Sequence, residues 1–205
     1  MADKPPGYFA GLDLGQAQDY SALAVLERTL RPDQARPGRE LAHYAVRELR
    51  RWPLGTSYTV ICADVVKLYA APPLKGSTLV VDRTGVGASV VDFVSKAKPA
   101  CWVRPVLITA GHQVTRDGTG FHVPKKELVS VLQVLFQTRR LKVAQSLREA
   151  ETLTKELSTF KVKVTTAGNE TFEAWRERDH DDLVLAVGIA AWVAERGVSK
   201  FTFFA

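Results

Sequence analysis

The 205-residue sequence contains only two cysteines, and they belong to no CxxC or Cys/His array. Cys62 and Cys101 therefore support neither a disulfide scaffold nor a structural zinc site, and we interpret them as a pair of buried thiols. Long apolar runs are also missing: the longest, Leu183 to Ala194, is well short of the about 18 to 20 residues that cross a bilayer. The opening segment MADKPPGYFAG has no apolar core of signal-peptide length. These absences predict a cytoplasmic protein without a membrane partner.

A phosphate-cradling GxxxxGK[ST] loop is absent from the sequence, which argues against a P-loop ATPase. Gly85 and Gly87 match half of a dinucleotide-binding fingerprint, but Val90 stands at the third glycine position and the pattern fails. The sequence does have a hydrophobic content of 46%, a charged content of 24% and a net charge of +6. The first two values are typical of a soluble globular domain, and the third suits a polyanionic partner.

Hydrophobic periodicity in the first half of the chain predicts three strands, a helix, a strand, a helix and a strand. The turn-rich RPDQARPGR joins the second and third strands into a meander. The last two strands follow helical crossovers and should therefore be parallel. The predicted bounds are Tyr8 to Leu14, Ser21 to Arg28, Leu41 to Leu49, Thr56 to Ala70, 77–82, 85–97 and Cys101 to Thr109.

The second half of the chain adds a hairpin and helices. HQVTRDGTGFHV has an Asp-Gly turn signal and predicts a projecting hairpin, and the alternating TFKVKVT (159–165) predicts a strand. Helices are predicted at Lys125 to about Thr138, Leu147 to Leu157 and Asp181 to Arg196. The element order is that of the ribonuclease H fold. We predict one α/β domain over 1–205, core about 7–196, with a mixed five-stranded sheet flanked by helices, an added hairpin and extra helices before the C-terminal helix.

Carboxylates end two of the predicted strands and begin the last helix. Asp13 ends the first strand, Asp82 ends the fourth, and HDD at 180–182 opens the final helix. Neighbouring parallel strands end side by side, so these carboxylates can share one edge of the sheet, where a divalent cation would relieve their repulsion. Hard oxygen ligands select Mg²⁺ or Mn²⁺, and two such ions can cleave a phosphodiester. Taken singly, each residue can instead be a turn or helix cap, as Asp19 is expected to be.

Asp181 and Asp182 cannot ligate one ion in the same way, because adjacent helical residues point about 100° apart. Both lie on apolar stripes of the helix, so burial alone does not choose between them. Asp181 is nearer the helix start and better placed to cap it. We therefore expect Asp182 to be the direct ligand, with Asp181 supporting the second ion or the water.

Four segments in order resemble the motifs of the C-terminal nuclease domain of phage terminase large subunits: GLDLGQAQDYSALAVLE, LVVDRTGVGASVVDFV, VPKKELVSVLQVLFQTRRLKV and RDHDDLVLAVGIAAW. The resemblance extends from about Gly7 to Ala194. It implies a ribonuclease H-like fold, cleavage of double-stranded concatemeric DNA during genome packaging, and two Mg²⁺ or Mn²⁺ ions held by Asp13, Asp82 and one or both of Asp181 and Asp182.

The resemblance also bears on origin and partners. It implies a phage or prophage protein in a bacterial host cell. Because the ATPase loop is missing, a separate packaging ATPase or portal protein is a further expected partner.

Basic residues around one predicted helix are candidates for DNA contacts. Lys125 and Lys126 begin the helix, Arg139 and Arg140 follow it, and Arg116 lies in the hairpin. Each can meet phosphates, which position a duplex without reading its sequence. The alternative for any one of them is a solvated helix face.

Three other functions share some of these features. A Holliday-junction resolvase has the same fold and acidic site, and a catalytically inert nucleic-acid-binding module has the fold alone. An actin-like phosphotransferase is suggested loosely by DLGQ and DRTGVG, but a chain of this length lacks the second domain that would close on a nucleotide.

His180 can position a water or cap the last helix, and the aromatic tail KFTFFA can pack on the body or dock a partner. The function that the residues favour is a metal-dependent endonuclease that cleaves double-stranded DNA.

Overall fold

The computed structural model describes residues 5–15, 19–85, 87–97, 99–166 and 181–196. Eight strands are described: β1 Gly7–Asp13, β2 Ala22–Pro32, β3 Glu40–Arg51, β4 Thr78–Asp82, β5 Trp102–Thr109, β6 Thr115–Asp117, β7 Gly120–Pro124 and β8 Leu141–Val143. Five helices are described: α1 Tyr58–Tyr69, α2 Gly87–Lys96, α3 Lys125–Gln137, α4 Ala150–Thr166 and α5 Asp182–Glu195. No helix in these ranges is long and apolar enough to cross a membrane.

The strands form one mixed sheet in the order β6-β7-β5-β4-β1-β2-β3-β8. Its centre, β5-β4-β1-β2-β3, is the predicted five-stranded arrangement. β1, β2 and β3 are the antiparallel meander, and β4 and β5 are parallel to β1. The sequence prediction of the fold is therefore confirmed, and the sheet is wider than predicted by three strands.

Two of the added strands are the predicted hairpin, β6 and β7, which pair antiparallel across the Asp-Gly turn. The hairpin does not simply project, because β7 also pairs parallel with β5 and extends the sheet. The third, β8, pairs parallel with the outer edge of β3 and was not predicted. Its three residues are too few to show an alternating pattern.

The predicted strand at 159–165 is wrong, since α4 continues to Thr166. No glycine or proline interrupts the helix after Ala150, so the alternation of seven residues is not enough to end it. Of the two cysteines, Cys62 is buried as predicted, whereas Cys101 is only half-buried.

The sheet separates two apolar cores. Ala10, Leu12, Leu79 and Val81 contribute to the core on one face, which α1 joins through Ile61 and other residues. On the opposite face, α3, α4 and α5 cover the sheet through a larger core.

Helix α5 is the central element of the second core. It packs on β1, β2 and β4 and is flanked by α3 and α4, and its residues from Asp182 to Ala194 are all buried. A helix surrounded by protein needs no polar face, which accounts for the nearly uninterrupted apolar sequence.

Gly11 allows α5 to approach β1 closely. A Cβ at this position would lie 2.0 Å from the backbone oxygen of Ala186 and 2.9 Å from Cγ1 of Ile189. A backbone carbonyl cannot rotate away as a side chain can, so strand and helix would have to separate.

We expect Gly11→Ala to lower the free energy of unfolding by an amount at or above the upper end of the about 1–3 kcal/mol typical of overpacked cores. Urea denaturation measures this loss. Gly118→Ala is the matched control, because a Cβ at Gly118 meets nothing within 4 Å. Equal stability of the two variants would contradict the close approach of α5 to β1.

Candidate metal centre

Strand alternation places Asp13 and Asp82 on the face that α5 covers. Leu12 and Val81 are register partners on parallel β1 and β4, and both point into the opposite core. The next residue of each strand therefore points to the α5 side. Asp13 and Asp82 are 6% and 1% exposed, so two carboxylates lie buried at the end of adjacent strands.

Helix α5 begins at the same edge and contributes Asp182, which is also 6% exposed. Burial raises the pKa of Asp13 well above its ordinary value, and the negative charges of Asp82, Asp182 and Asp181 raise it further, in that order. A hydrogen bond between Asp13 and Asp82 acts in the same direction. The four predicted ligands thus belong to one electrostatic group.

The end of β4 is held in place by Thr84. Its backbone N–H donates to Oδ1 of Asp82 at 2.8 Å, and its hydroxyl donates to the same oxygen. The hydroxyl in turn accepts the N–H of Ile108, on β5, at 2.7 Å. Thr84 therefore fixes the orientation of Asp82 relative to two strands.

Asp181 and Asp182 each contact a cation supplied by another element. Nζ of Lys125, at the start of α3, lies 2.6 Å from Oδ2 of Asp181. A guanidinium nitrogen of Arg51, at the end of β3, lies 3.2 Å from Oδ2 of Asp182, and this guanidinium also covers the ring of Tyr20 at 3.6 Å. Part of the negative charge is therefore balanced by the protein itself.

The donor chemistry of this group fits Mg²⁺ or Mn²⁺, because all four candidates offer hard carboxylate oxygens and their charges repel. In the described ranges, however, no three acidic, histidine or cysteine side chains are already arranged as a ligand set. Asp181 and Asp182 are instead paired with Lys125 and Arg51. Asp181 and Asp182 would have to turn from these cations to join Asp13 and Asp82 around a metal.

Glu156 of α4 is a further acidic residue at this edge and was not predicted from the sequence. Its Oε2 accepts the backbone N–H of Leu183 at 2.9 Å and that of Val184 at 3.1 Å. Burial raises the pKa of Glu156 to about 7, with the charge of Asp182 a smaller contribution in the same direction. No local pattern could reveal it, since its partners are 27 and 28 residues away.

Helix α5 begins at Asp182, one residue later than predicted, and the side chain of Asp181, the residue before it, makes no capping hydrogen bond. The expectation that Asp181 caps the helix is therefore wrong. Its carboxylate binds Lys125 instead, and Glu156 provides the cap.

The candidate DNA-binding residues fall into two groups. Near the carboxylates, Lys125 is buried and ion-paired, whereas Lys126 is exposed with its Nζ 2.9 Å from Nδ1 of His112. Arg116, exposed on the hairpin, lies over the ring of Phe121 at 5.1 Å.

Arg139 and Arg140 lie at the far end of α3. Arg140 donates to both carboxylate oxygens of Glu195 at 2.9 Å and to the carbonyl of Ala42 at 3.0 Å. Because Glu195 ends the 14-residue helix that Asp182 begins, about 20 Å separates this pair from the carboxylates. Arg140 joins α5 to β3, and exposed Arg139 adopts φ 55° beside it. His180 and the aromatic tail at 200–205 lie outside the described residues.

The raised pKa of Asp13, caused by burial and by the neighbouring carboxylates, leads us to a prediction for the metal-free protein. An acid with a raised pKa binds more protons in the folded state than in the unfolded state, so stability falls as pH rises from its ordinary pKa through the raised one. We expect Asp13→Asn to raise the melting temperature in EDTA at pH 7.5 and to flatten its fall with pH. Each kcal/mol gained shifts the midpoint of a protein of this size by about 2–4 °C.

Thermal unfolding between pH 4 and pH 8 checks this expectation. Asp92→Asn is the control, since Asp92 is an exposed carboxylate on α2. A lower melting temperature for Asp13→Asn than for Asp92→Asn at pH 7.5 would contradict the predicted repulsion.

The fold is similar to that of several solved structures, which include two phage proteins. The large terminase nuclease from thermophilic phage G20c superposes with a TM-score of 0.56 over 92% of this chain and 83% of its own, at 21% sequence identity. The HK97 bacteriophage large terminase superposes with a TM-score of 0.54 over 93% of this chain, at 16% identity, and this chain spans 40% of its length. No protein-family model and no curated protein matches the sequence. The chain therefore has the ribonuclease H-like fold of the phage large terminase nucleases.

Proposed function

We propose that this protein is an endonuclease that cleaves double-stranded DNA and depends on two divalent metal ions. The observation that carries the proposal is the convergence of buried carboxylates from β1, β4 and α5 at one edge of the sheet, where burial and the neighbouring charges raise the pKa of Asp13. The nuclease named among the similar structures adds support, since it shares the fold over most of both chains.

In this proposal Asp13, Asp82 and Asp182 hold the metal ions, and Asp181 supports the second ion or the attacking water. Mg²⁺ or Mn²⁺ would supply Lewis acidity, a more acidic water and charge for the leaving oxygen. Thr84 keeps Asp82 in one orientation, and Lys125 and Arg51 hold Asp181 and Asp182 near the same edge.

Plasmid cleavage with Mg²⁺, Mn²⁺ or EDTA tests the function. We expect nicking and linearisation with either metal and none in EDTA. A synthetic four-way junction is compared with a linear duplex of the same total length. A strong preference for the junction would favour the resolvase alternative. DNA binding without cleavage in either metal would identify an inert binding module.

We propose that the DNA passes over Lys126 and Arg116, because both side chains are exposed. Lys126 lies at the start of α3, the end nearer the carboxylates, and Arg116 lies on the hairpin. Each phosphate contact that is lost should reduce the slope of log K against log salt by about 0.9. We therefore expect Lys126→Gln with Arg116→Gln to weaken duplex binding at low salt and to lower the slope by up to about 2.

Fluorescence anisotropy over a salt series measures this slope. Arg36→Gln with Arg39→Gln is the matched control, because it also removes two exposed cations. Those residues lie in the β2–β3 turn, at the end of the sheet where β1 begins. The carboxylates lie at the opposite end, where β1 finishes. An equal change of slope in both double variants would place the DNA elsewhere.

We further propose that the protein acts as one nuclease domain with a core at about 7–196 in the cytoplasm of a bacterial host. A packaging ATPase or portal protein is a further proposed partner, since the similar structures include the HK97 bacteriophage large terminase.

A further inference from the structure

The beginning of α5 has an unusual capping arrangement. The first backbone N–H groups of a helix have no acceptor within it, and the residue before the helix normally supplies one. Asp181 holds that place but gives its carboxylate to Lys125. The amides of Leu183 and Val184, second and third in the helix counted from Asp182, are the ones an ordinary cap would serve.

Glu156 serves both amides from another helix. One oxygen accepts the two N–H groups at 2.9 and 3.1 Å, and the side chain is only 6% exposed. We propose that Glu156 is a positioning residue for the metal centre: by capping α5 from α4, it relieves Asp181 of capping and fixes the start of the helix, where Asp181 and Asp182 lie.

A stabilising role alone does not explain a carboxylate at this site. The other oxygen of Glu156 is buried, with no hydrogen-bond partner in the described part of the chain. Burying such an oxygen costs free energy, and the nearby Asp182 adds repulsion. If Asp181 capped the helix, its carboxylate would be committed to the amides of Leu183 and Val184 instead of to Lys125. Because Glu156 caps the helix, the carboxylate of Asp181 is not used for capping and stays with the other proposed ligands.

This inference rests on the proposed function, and the experiment separates the two. Glu156→Gln keeps an oxygen acceptor of the same reach, whereas Glu156→Leu keeps the volume and removes the acceptor. Three properties are measured for each variant: amide hydrogen exchange at Leu183 and Val184, Mn²⁺ affinity from the metal-induced rise in melting temperature, and kcat and KM for plasmid cleavage.

For Glu156→Leu we expect faster exchange at the two amides, a loss of Mn²⁺ affinity of about 10- to 100-fold, and a fall in kcat with little change in KM. Glu156→Gln should restore all three properties to within a few-fold of the unmodified protein. A buried-core control, Leu153→Ala, lowers stability from the same helix, because Leu153 is 1% exposed and one turn before Glu156. At a temperature where all variants are folded, this control should keep its Mn²⁺ affinity.

The inference is overturned if Glu156→Leu loses no more Mn²⁺ affinity than Leu153→Ala, or if Glu156→Gln behaves like Glu156→Leu. If the unmodified protein binds Mn²⁺ but cleaves no DNA, the proposed function fails. The exchange and affinity measurements then still decide whether Glu156 positions the ligands.

Discussion

Asp82→Asn should abolish metal-dependent DNA cleavage while leaving the fold intact. Asn has the shape of Asp and keeps an oxygen for the two hydrogen bonds from Thr84, but it lacks the charge that holds a divalent ion. Removing one hydrogen-bond donor that stabilises the charge of a transition state lowers kcat by about 10²- to 10³-fold. Loss of a metal ligand should exceed that range. Plasmid cleavage in Mn²⁺ and Mg²⁺ measures the effect.

Circular dichroism and thermal unfolding of the same preparation show whether Asp82→Asn is folded. Asp92→Asn provides the control for removing a carboxylate that lies outside the acidic group. If pure Asp82→Asn cleaved DNA at a rate close to that of the unmodified protein, Asp82 would not be a metal ligand and the proposed site at the end of β4 would be wrong.

Asp182→Asn should be nearly as damaging, and Asp181→Asn considerably less so. Among the charges that raise the pKa of Asp13, Asp182 contributes more than Asp181, which indicates that Asp182 interacts more strongly with Asp13. Asp182 is also buried, whereas Asp181 is partly accessible and held by Lys125. We expect Asp182→Asn to lose metal affinity and cleavage together. Asp181→Asn should lose about 10- to 100-fold, as residues that support a ligand do.

Titration with Mn²⁺ and single-turnover cleavage compare the two variants side by side. Lys125→Gln is an informative companion, because it removes the cation from Asp181 while keeping a polar side chain of similar length. If Asp181→Asn loses metal affinity and Asp182→Asn does not, the assignment of the direct ligand is reversed. If neither loses it, α5 contributes no ligand.

The central strands and their carboxylates were predictable because the required information is local. β1 and β4 are short apolar segments that each end in an aspartate, so the pattern indicates both the strand and the end at which the charge lies. The parallel pairing of β4 with β1 and β5 follows from the helical crossovers between them. Asp13 and Asp82 could thus be assigned to one edge from the sequence.

The contacts that hold the site were not predictable, because they join residues distant in sequence. Lys125 and Asp181 are 56 residues apart, and Arg51 and Asp182 are 131 apart. A pattern shows which face of an element is apolar but not which neighbour supplies a charge to it. For the same reason Lys125 looked like a surface cation at the start of α3, although its ammonium is turned inward.

The burial of α5 on all sides has a consequence for the order of folding during synthesis. β1 leaves the ribosome about 170 residues before the helix that covers its Gly11 face, and contacts of such long range form slowly. Until 182–195 have emerged, the sheet face beneath α5 stays open to water and to other nascent chains. The proposed metal centre, which needs Asp182 beside Asp13, is then assembled only after α5 has been made, so chains that end before α5 should be unable to cut DNA.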